Sequence, residues 1–489
     1  MKYLSVTEIA AKWEISERSV RNYCADGRIP GATLNGKTWL IPSDAIKPMK
    51  NSGVDSSLKE LMEFLDESPV NYYAIKNVSE TLSKNGYREI KENEPFKAKK
   101  GDKIFLKRNG TTLVALNIGK KVLSETYSYH IIASHCDSPC FKIKPECDNV
   151  TDGYNKINVE PYGGMICSTW LDRPLAVSGR VLVKEKNGIS SKLVNLKNDY
   201  VFIPNKCIHF NRDANSGYAF NMASDMQPFY AYGSTNSYKS VIAKELKINE
   251  DAIKSFDLFL YNAEKAMLWG ANKEFISSSR LDDLECVFTS MKAFIESDNE
   301  SAVNVLYISD NEEVGSSSAQ GADGDFLDSV MQRCNLALGF NEENLRQAIA
   351  SSFLISADNA HAVHPNFPGI TDDKNKCYMN KGIAIKFNAS QRYTSDAVSQ
   401  AIFETICENS HSEYQHFANR SDTRGGSTLG NILLSHVSML SVDIGLPQLA
   451  MHSSYETAGS VDVTYAIKAF KEFYSSNIKI DGEKYIITK

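Results

Sequence analysis

Four short apolar runs, each ending abruptly in residues able to do chemistry, constrain most strongly what this chain can fold into. HIIAS at 130–134 leads to His135 and Asp137, and VNVLYIS at 303–309 leads to Asn311, Glu312 and Glu313. FLISA at 353–357 leads to Asp358, and the run at 448–451 leads to His452. Runs this short, bounded by polar residues, read as buried strands. Helical patterns at 284–295 and 327–338 lie among them. Strands alternating with helices predict an α/β sheet covered on both faces. Such sheets place their sites just beyond strand C-termini, where these polar residues fall.

Other stretches have a different texture. Residues 146–255 hold Gly-rich turns, Tyr-rich short runs and alternation such as VSGRVLV at 177–183, which predicts an inserted β-rich domain. The first 50 residues read as a small independent module. Val6–Trp13 is short and amphipathic, with Ile9, Ala10 and Trp13 on one face. Ser5 and Glu8 stand at capping-box spacing. A second helix is expected from Ser16 to the Asp26-Gly27 break, with Val20 and Tyr23 inward and Arg18, Arg21 and Asn22 outward. Two short helices joined by a tight turn form a helix-turn-helix pattern. Thr33–Ile41, with Asn35-Gly36 at its tip, reads as a hairpin forming a wing. Residues 47–56 are polar and contain Pro and Gly, as a linker would.

A length of 489 residues allows about two to four domains. The expected division is 1–50, a helix-turn-helix module; 57–145, the first part of a catalytic domain; 146–255, the β-rich insertion; and 256–489, the second part of the catalytic domain. The net charge of −6 is unevenly spread. Residues 1–50 carry eight Lys or Arg against five Asp or Glu, a net of +3, which leaves −9 for the remainder. A basic head on an acidic body points to two functions in one chain. Ten scattered cysteines, none in a Cys-x-x-Cys pair, fit a reducing compartment and give no support to a zinc ribbon. The opening MKYLSVTEIAAKW lacks the apolar core of a signal peptide, and no stretch approaches 18 apolar residues. A cytoplasmic protein without a membrane span is expected.

Taken singly, the polar clusters are weak signals. A Glu-Glu pair is commonly a solvated face, and an Asp after a strand is commonly a helix cap. Together, His135, Asp137, Asp282, Asp283, Glu312, Glu313, Asp358 and His452 form a mixed nitrogen and oxygen set suited to Zn²⁺, Mn²⁺ or Co²⁺. In a His-x-Asp pair the Asp can hydrogen-bond the imidazole and fix its tautomer. Adjacent glutamates can divide labour, one binding metal and one reaching water, as in two-metal sites with ions about 3.5–4 Å apart.

These residues occur in motifs that resemble the M18 metallopeptidases, the aspartyl aminopeptidases and their bacterial relatives. The motifs include His135–Pro139 (HCDSP), Arg280–Asp282 (RLD), Glu312–Ser316 (EEVGS), Ser356–Asn366 (SADNAHAVHPN) and Met451–Ser453 (MHS). Tyr162–Gly164, Ser168–Trp170, Asp172-Arg173, Ile203–Asn205, Ile208-His209, Asn388–Tyr393 and Gly426–Gly430 also match, so the resemblance runs from about residue 57 to 475. It implies an α/β di-metal peptidase sandwich with an inserted β-rich domain, plus the small N-terminal winged helix-turn-helix module. It implies His135, Asp282, Glu313, Asp358 and His452 as metal ligands, Asp282 bridging two ions, Glu312 as general base and Asp137 orienting His135. It also implies that His209 is presented to a neighbouring subunit's site within a homo-oligomer, a tetrahedral dodecamer. The ions would be zinc, with cobalt or manganese as alternatives. Asp283 departs from the Asn common in the family, and its carboxylate is expected either to strengthen metal binding or to face away.

The implied reaction is hydrolysis of the N-terminal residue, acidic or neutral/hydrophobic, from peptide substrates. Lys381 and Arg392 are candidate partners for a substrate carboxylate. The first 50 residues resemble winged helix-turn-helix modules of the MerR and excisionase type. That resemblance implies DNA contacts from Arg18, Arg21, Asn22, Arg28 and Lys37. The alternatives are a DNA-binding transcriptional regulator whose peptidase-like body senses peptide or metal, and an oligomeric scaffold with a protein-interaction head.

Overall fold

A computed structural model describes residues 3–25, 29, 31–36, 38–43, 45, 47, 55–423 and 425–489. Arg28, Lys37, the Asp26-Gly27 break and residues 48–54 of the expected linker lie outside the described residues. The chain divides into two compact units, Met1–Ser56 and Ser57–Lys489.

In the first unit, helix Val6–Trp13 begins where Ser5 and Glu8 close the expected capping box. The turn after it places Glu14 in the left-handed region at φ 52°. Helix Glu17–Ala25 follows, one residue later than the sequence suggests, because Ser16 serves as its cap and accepts the Ser19 N–H. Thr33–Asn35 and Thr38–Pro42 form the expected hairpin, and Tyr3–Leu4 adds a third strand. Ile9, Trp13, Val20, Tyr23 and Ile41 form the core of this unit. Arg18, Arg21 and Asn22 remain exposed on the second helix.

The second unit is built on a nine-stranded mixed sheet. Its four central strands, Leu440–Gly445, Phe353–Ala357, Tyr129–His135 and Val303–Ser309, lie side by side and parallel. Alternation along each strand fills both faces. Ile132 and Leu306 pack into one core, and Ile131, Ala133, Val305 and Tyr307 into the other. Helices Ser56–Glu67, Asn71–Lys84, Leu281–Ile295, Ala397–Asn409 and Asp462–Ser475 cover the first face. Helices Phe326–Ala337, Glu342–Ala350 and Leu429–His436 cover the second. Because the central strands are parallel, His135, the turn after Ser309 and Asp358 all leave the sheet at one edge.

A six-stranded antiparallel sheet spans Cys140–Asn262 around its own core, which includes Phe141, Trp170, Leu175 and Leu258. It starts before and ends after the 146–255 stretch, because strand Cys140–Thr151 begins five residues past His135. A smaller five-stranded sheet joins Met267–Trp269, Phe275–Ser278, Glu456–Gly459, Pro447–Leu449 and Ala360–His361. Its short strands bring the segments carrying Asp282, Asp358 and His452 together. Among the described residues no helix is long and apolar enough to cross a membrane.

Candidate metal centre

His135, Asp282 and Glu313 each offer a ligand atom within 4.8 Å of the others. The register explains why. His135 ends its strand directly beside Ser309, so Glu312 and Glu313 in the following turn come up next to it. Asp282 lies at the start of helix Leu281–Ile295, and His452 lies in the turn after Pro447–Leu449.

The imidazoles meet Asp282 on different oxygens. His135 Nε2 is 3.5 Å from Asp282 Oδ1, and His452 Nε2 is 3.6 Å from Asp282 Oδ2. His452 Nε2 is also 3.4 Å from Glu313 Oε2. Each ring is held from behind by a carbonyl, which can only accept. His135 Nδ1 donates to the Asp137 carbonyl at 3.1 Å, and His452 Nδ1 donates to the Gly164 carbonyl at 2.8 Å. That fixes the tautomers and turns both Nε2 atoms toward the carboxylates, as in metal-ligating histidines.

Electrostatics agree. Burial pushes the Glu312 carboxyl up to about 8, and burial and the neighbouring Asp282 hold Glu313 well above the ordinary carboxylate range. Asp358 is also raised, by burial first. Asp282 is the exception. Burial opposes its charge, but His135 brings it below its usual value. Buried carboxylates that push one another up are the electrostatic complement of divalent cations. Among the described residues, Asp282 Oδ1 and Glu313 Oε1 are buried without a hydrogen-bond partner, as oxygens kept for ions would be. The residues therefore fit a metal centre.

Asp137 reaches the His135 ring with its side chain as well, its Oδ1 lying 3.5 Å from Nδ1. Its backbone carbonyl takes the imidazole N–H. Its carboxylate accepts the Glu312 N–H on Oδ1 and the Glu313 N–H on Oδ2, both at 3.1 Å. Tyr162 donates its hydroxyl to Oδ2 at 2.8 Å and accepts from Asn311 at 2.8 Å. Asp137 thus shapes the turn that presents both glutamates. Gly163 lets the chain pass this turn: its φ is 75°, and a Cβ there would sit 3.2 Å from that of Glu313. Asp283 is fully buried, and its Oδ2 accepts the His135 N–H at 3.1 Å. The extra carboxylate thus supports the end of the strand.

Lys381 is exposed and Arg392 half-buried. The cation beside the cluster is Lys386, which sequence reasoning passed over. It is 3 % exposed, and its Nζ lies 3.3 Å from Asp358 Oδ1. A lone lysine within the apolar strand Ile383–Phe387 was the available signal. His209 lies exposed in the long connection between strands Gly188–Asn195 and Phe229–Tyr232, near Phe210, which is 86 % exposed. Among the described residues it shares no hydrogen bond or ion pair with the cluster.

The profile of the family described as "Aminopeptidase I zinc metalloprotease (M18)" matches residues 64–474. The chain belongs to the M18 aminopeptidase family. It is a metallo-aminopeptidase, and residues 3–51 match a helix-turn-helix domain profile. A probable M18 family aminopeptidase 2 of Clostridium acetobutylicum is 43 % identical over 425 residues, covering 85 % of this chain and 98 % of the relative. Among solved structures, Ape4 in its complex with Nbr1 is 35 % identical with a TM-score of 0.83, covering 86 % of each chain. The mApe1 dodecamer of S. cerevisiae is 28 % identical with a TM-score of 0.74, covering 86 % of this M18 chain and 96 % of its own.

Proposed function

We propose that the protein removes an acidic N-terminal residue from peptides, with two divalent metal ions and Glu312 as general base. The observation that carries this is Asp282 facing one imidazole with each oxygen. His135, Asp282, Glu313, Asp358 and His452 would hold the ions, zinc first and cobalt or manganese as alternatives. Held there, divalent ions would supply Lewis acidity toward a scissile carbonyl and a water whose pKa falls to roughly 7. Glu312, in a turn pinned by Asp137, takes the water's proton on its carboxylate and delivers it to the leaving amine. Burial of Glu312 strengthens each such interaction.

A cleft of about 510 Å³ adjoins the cluster, lined by His361, Phe417, Arg420 and Met451 among others. No Asp or Glu is among its described lining residues, whereas Arg420 is, with its partner Asp422 outside the lining. That charge balance favours a carboxylate side chain on the substrate. A panel of aminoacyl substrates with metal-loaded protein tests it. At least about tenfold higher kcat/KM for aspartyl or glutamyl over leucyl is expected, a difference of about 1.4 kcal/mol. Equal rates contradict the preference.

The chain would assemble as a homo-oligomer like the mApe1 dodecamer, with exposed Ile208 and Phe210 covered by a neighbour and His209 presented to its site. For the head, a second reading rests on Arg18, Arg21 and Asn22 standing exposed on the second helix beside a hairpin wing. It binds DNA, with Arg28 and Lys37 adding phosphate contacts. A gel shift that weakens steeply with salt and disappears on deleting residues 1–50 is expected. Binding that survives the deletion contradicts it.

A further inference from the structure

Glu456 carries a buried carboxylate that the mechanism above leaves unused. It opens strand Glu456–Gly459 and is 2 % exposed. Burying a carboxylate is costly unless strong donors meet it. Its donors are three amides. Oε2 accepts the Asp282 N–H at 3.1 Å, and Oε1 accepts the His452 N–H at 2.8 Å. Gln448 Nε2 approaches Oε1 at 3.4 Å.

The two backbone donors belong to different elements. Asp282, with ψ at 109°, precedes the regular part of helix Leu281–Ile295, and His452 sits in a turn between strands with φ at 67°. A left-handed, non-glycine residue is held only by its surroundings. The side chains of these two residues meet, with His452 Nε2 3.6 Å from Asp282 Oδ2. One carboxylate thus fixes the main chain on both sides of the contact.

The network extends to a third site residue. Gln448 Oε1 accepts from Asn359 Nδ2 at 2.9 Å. Asn359 Nδ2 also lies 3.1 Å from the Leu281 carbonyl and 3.2 Å from Glu285 Oε2. Asn359 directly follows Asp358. Asp282, His452 and Asp358 are therefore tied through one buried chain of amides and carboxylates.

We propose that Glu456 is a positioning residue of the metal centre, clamping the main chains of Asp282 and His452 so that their side chains hold the spacing the ions require. This rests on the ligand assignment above. Glu456→Gln is the informative change. A carboxamide has one acceptor oxygen, so it can serve one of the two N–H groups and turns a donor toward the other. Outer partners of metal ligands commonly carry about 10–100-fold in metal affinity.

The test uses the full chain. Zn²⁺ affinity is read by chelator competition, Co²⁺ by its visible absorption, and folding by the melting temperature of the metal-free protein. Glu456→Gln is expected to melt like wild type without metal, to bind Zn²⁺ at least about tenfold more weakly and to give an altered Co²⁺ spectrum. Wild-type affinity and spectrum in that variant overturn the clamp. If Glu456→Gln does not fold, Gln448→Met decides. A measurable loss of Zn²⁺ affinity supports the clamp, and unchanged affinity overturns it. A wild-type chain that takes up no divalent ion overturns both the clamp and the ligand assignment, whereas failure confined to the variants overturns the clamp alone.

Discussion

His135 and His452 each reach Asp282 through Nε2 while a carbonyl holds the other ring nitrogen, and that arrangement gives the centre its chemistry. Glu312 stands beside it with its carboxyl raised to about 8 by burial, and as the proposed base it would handle protons once bound cations favoured its charged form. Glu312→Gln keeps the shape and removes the proton acceptor. Turnover is expected to fall by at least about 10² with metal content unchanged. Wild-type kcat in that variant contradicts the role. Most of these residues were legible, because each stands where a short apolar run stops. Lys386 was passed over: a lone lysine inside an apolar strand stands out in the sequence, but only its ion pair with Asp358 ties it to the site. The use of Asp137 was half legible. A His-x-Asp pair announces the contact, which carbonyl and carboxylate both make at 3.1 and 3.5 Å, but not the carboxylate's hold on the Glu312-Glu313 turn, which is distant in sequence.

Strand Tyr129–His135 was readable from its apolar run, and so was the helix at 284–295: Asp282, with ψ at 109°, and Asp283, with φ at −118°, are not helical, so the regular part of Leu281–Ile295 begins where the apolar pattern does. The five-stranded sheet that gathers the ligands was not. Strands of two to four residues, such as Ala360–His361 and Pro447–Leu449, carry too little alternation to register. Packing between elements also sets a pH response. His130, inside the strand, is fully buried against Phe473 of helix Asp462–Ser475, with ring centroids 5.4 Å apart. Burial lowers its pKa to about 4 from 6.5. The unfolded chain therefore binds a proton that the folded chain refuses between those values. Stability is fully present above about 6.5 and is lost as pH falls toward 4, by about 3 kcal/mol. His130→Leu removes this contribution, so its melting temperature is expected to drop less than wild type between pH 7 and pH 4.5. Equal drops contradict the assignment.

At the scale of the whole molecule, the −6 net charge is a sum over unlike parts. The +3 lies in a 50-residue head of helices and a hairpin, and the −9 lies in a body whose acids include buried Asp282 and Asp358 and half-buried Glu312 and Glu313. The α/β class was legible from alternating strands and helices. The extent of the six-stranded sheet was less so, because strand Cys140–Thr151 continues with almost no break from the segment that carries His135. The most direct test of the whole reading titrates divalent ion into metal-free protein while turnover of an aspartyl substrate is followed. The account predicts no turnover without metal and a plateau at two ions per chain. Full turnover in chelator-treated, metal-free protein would contradict it.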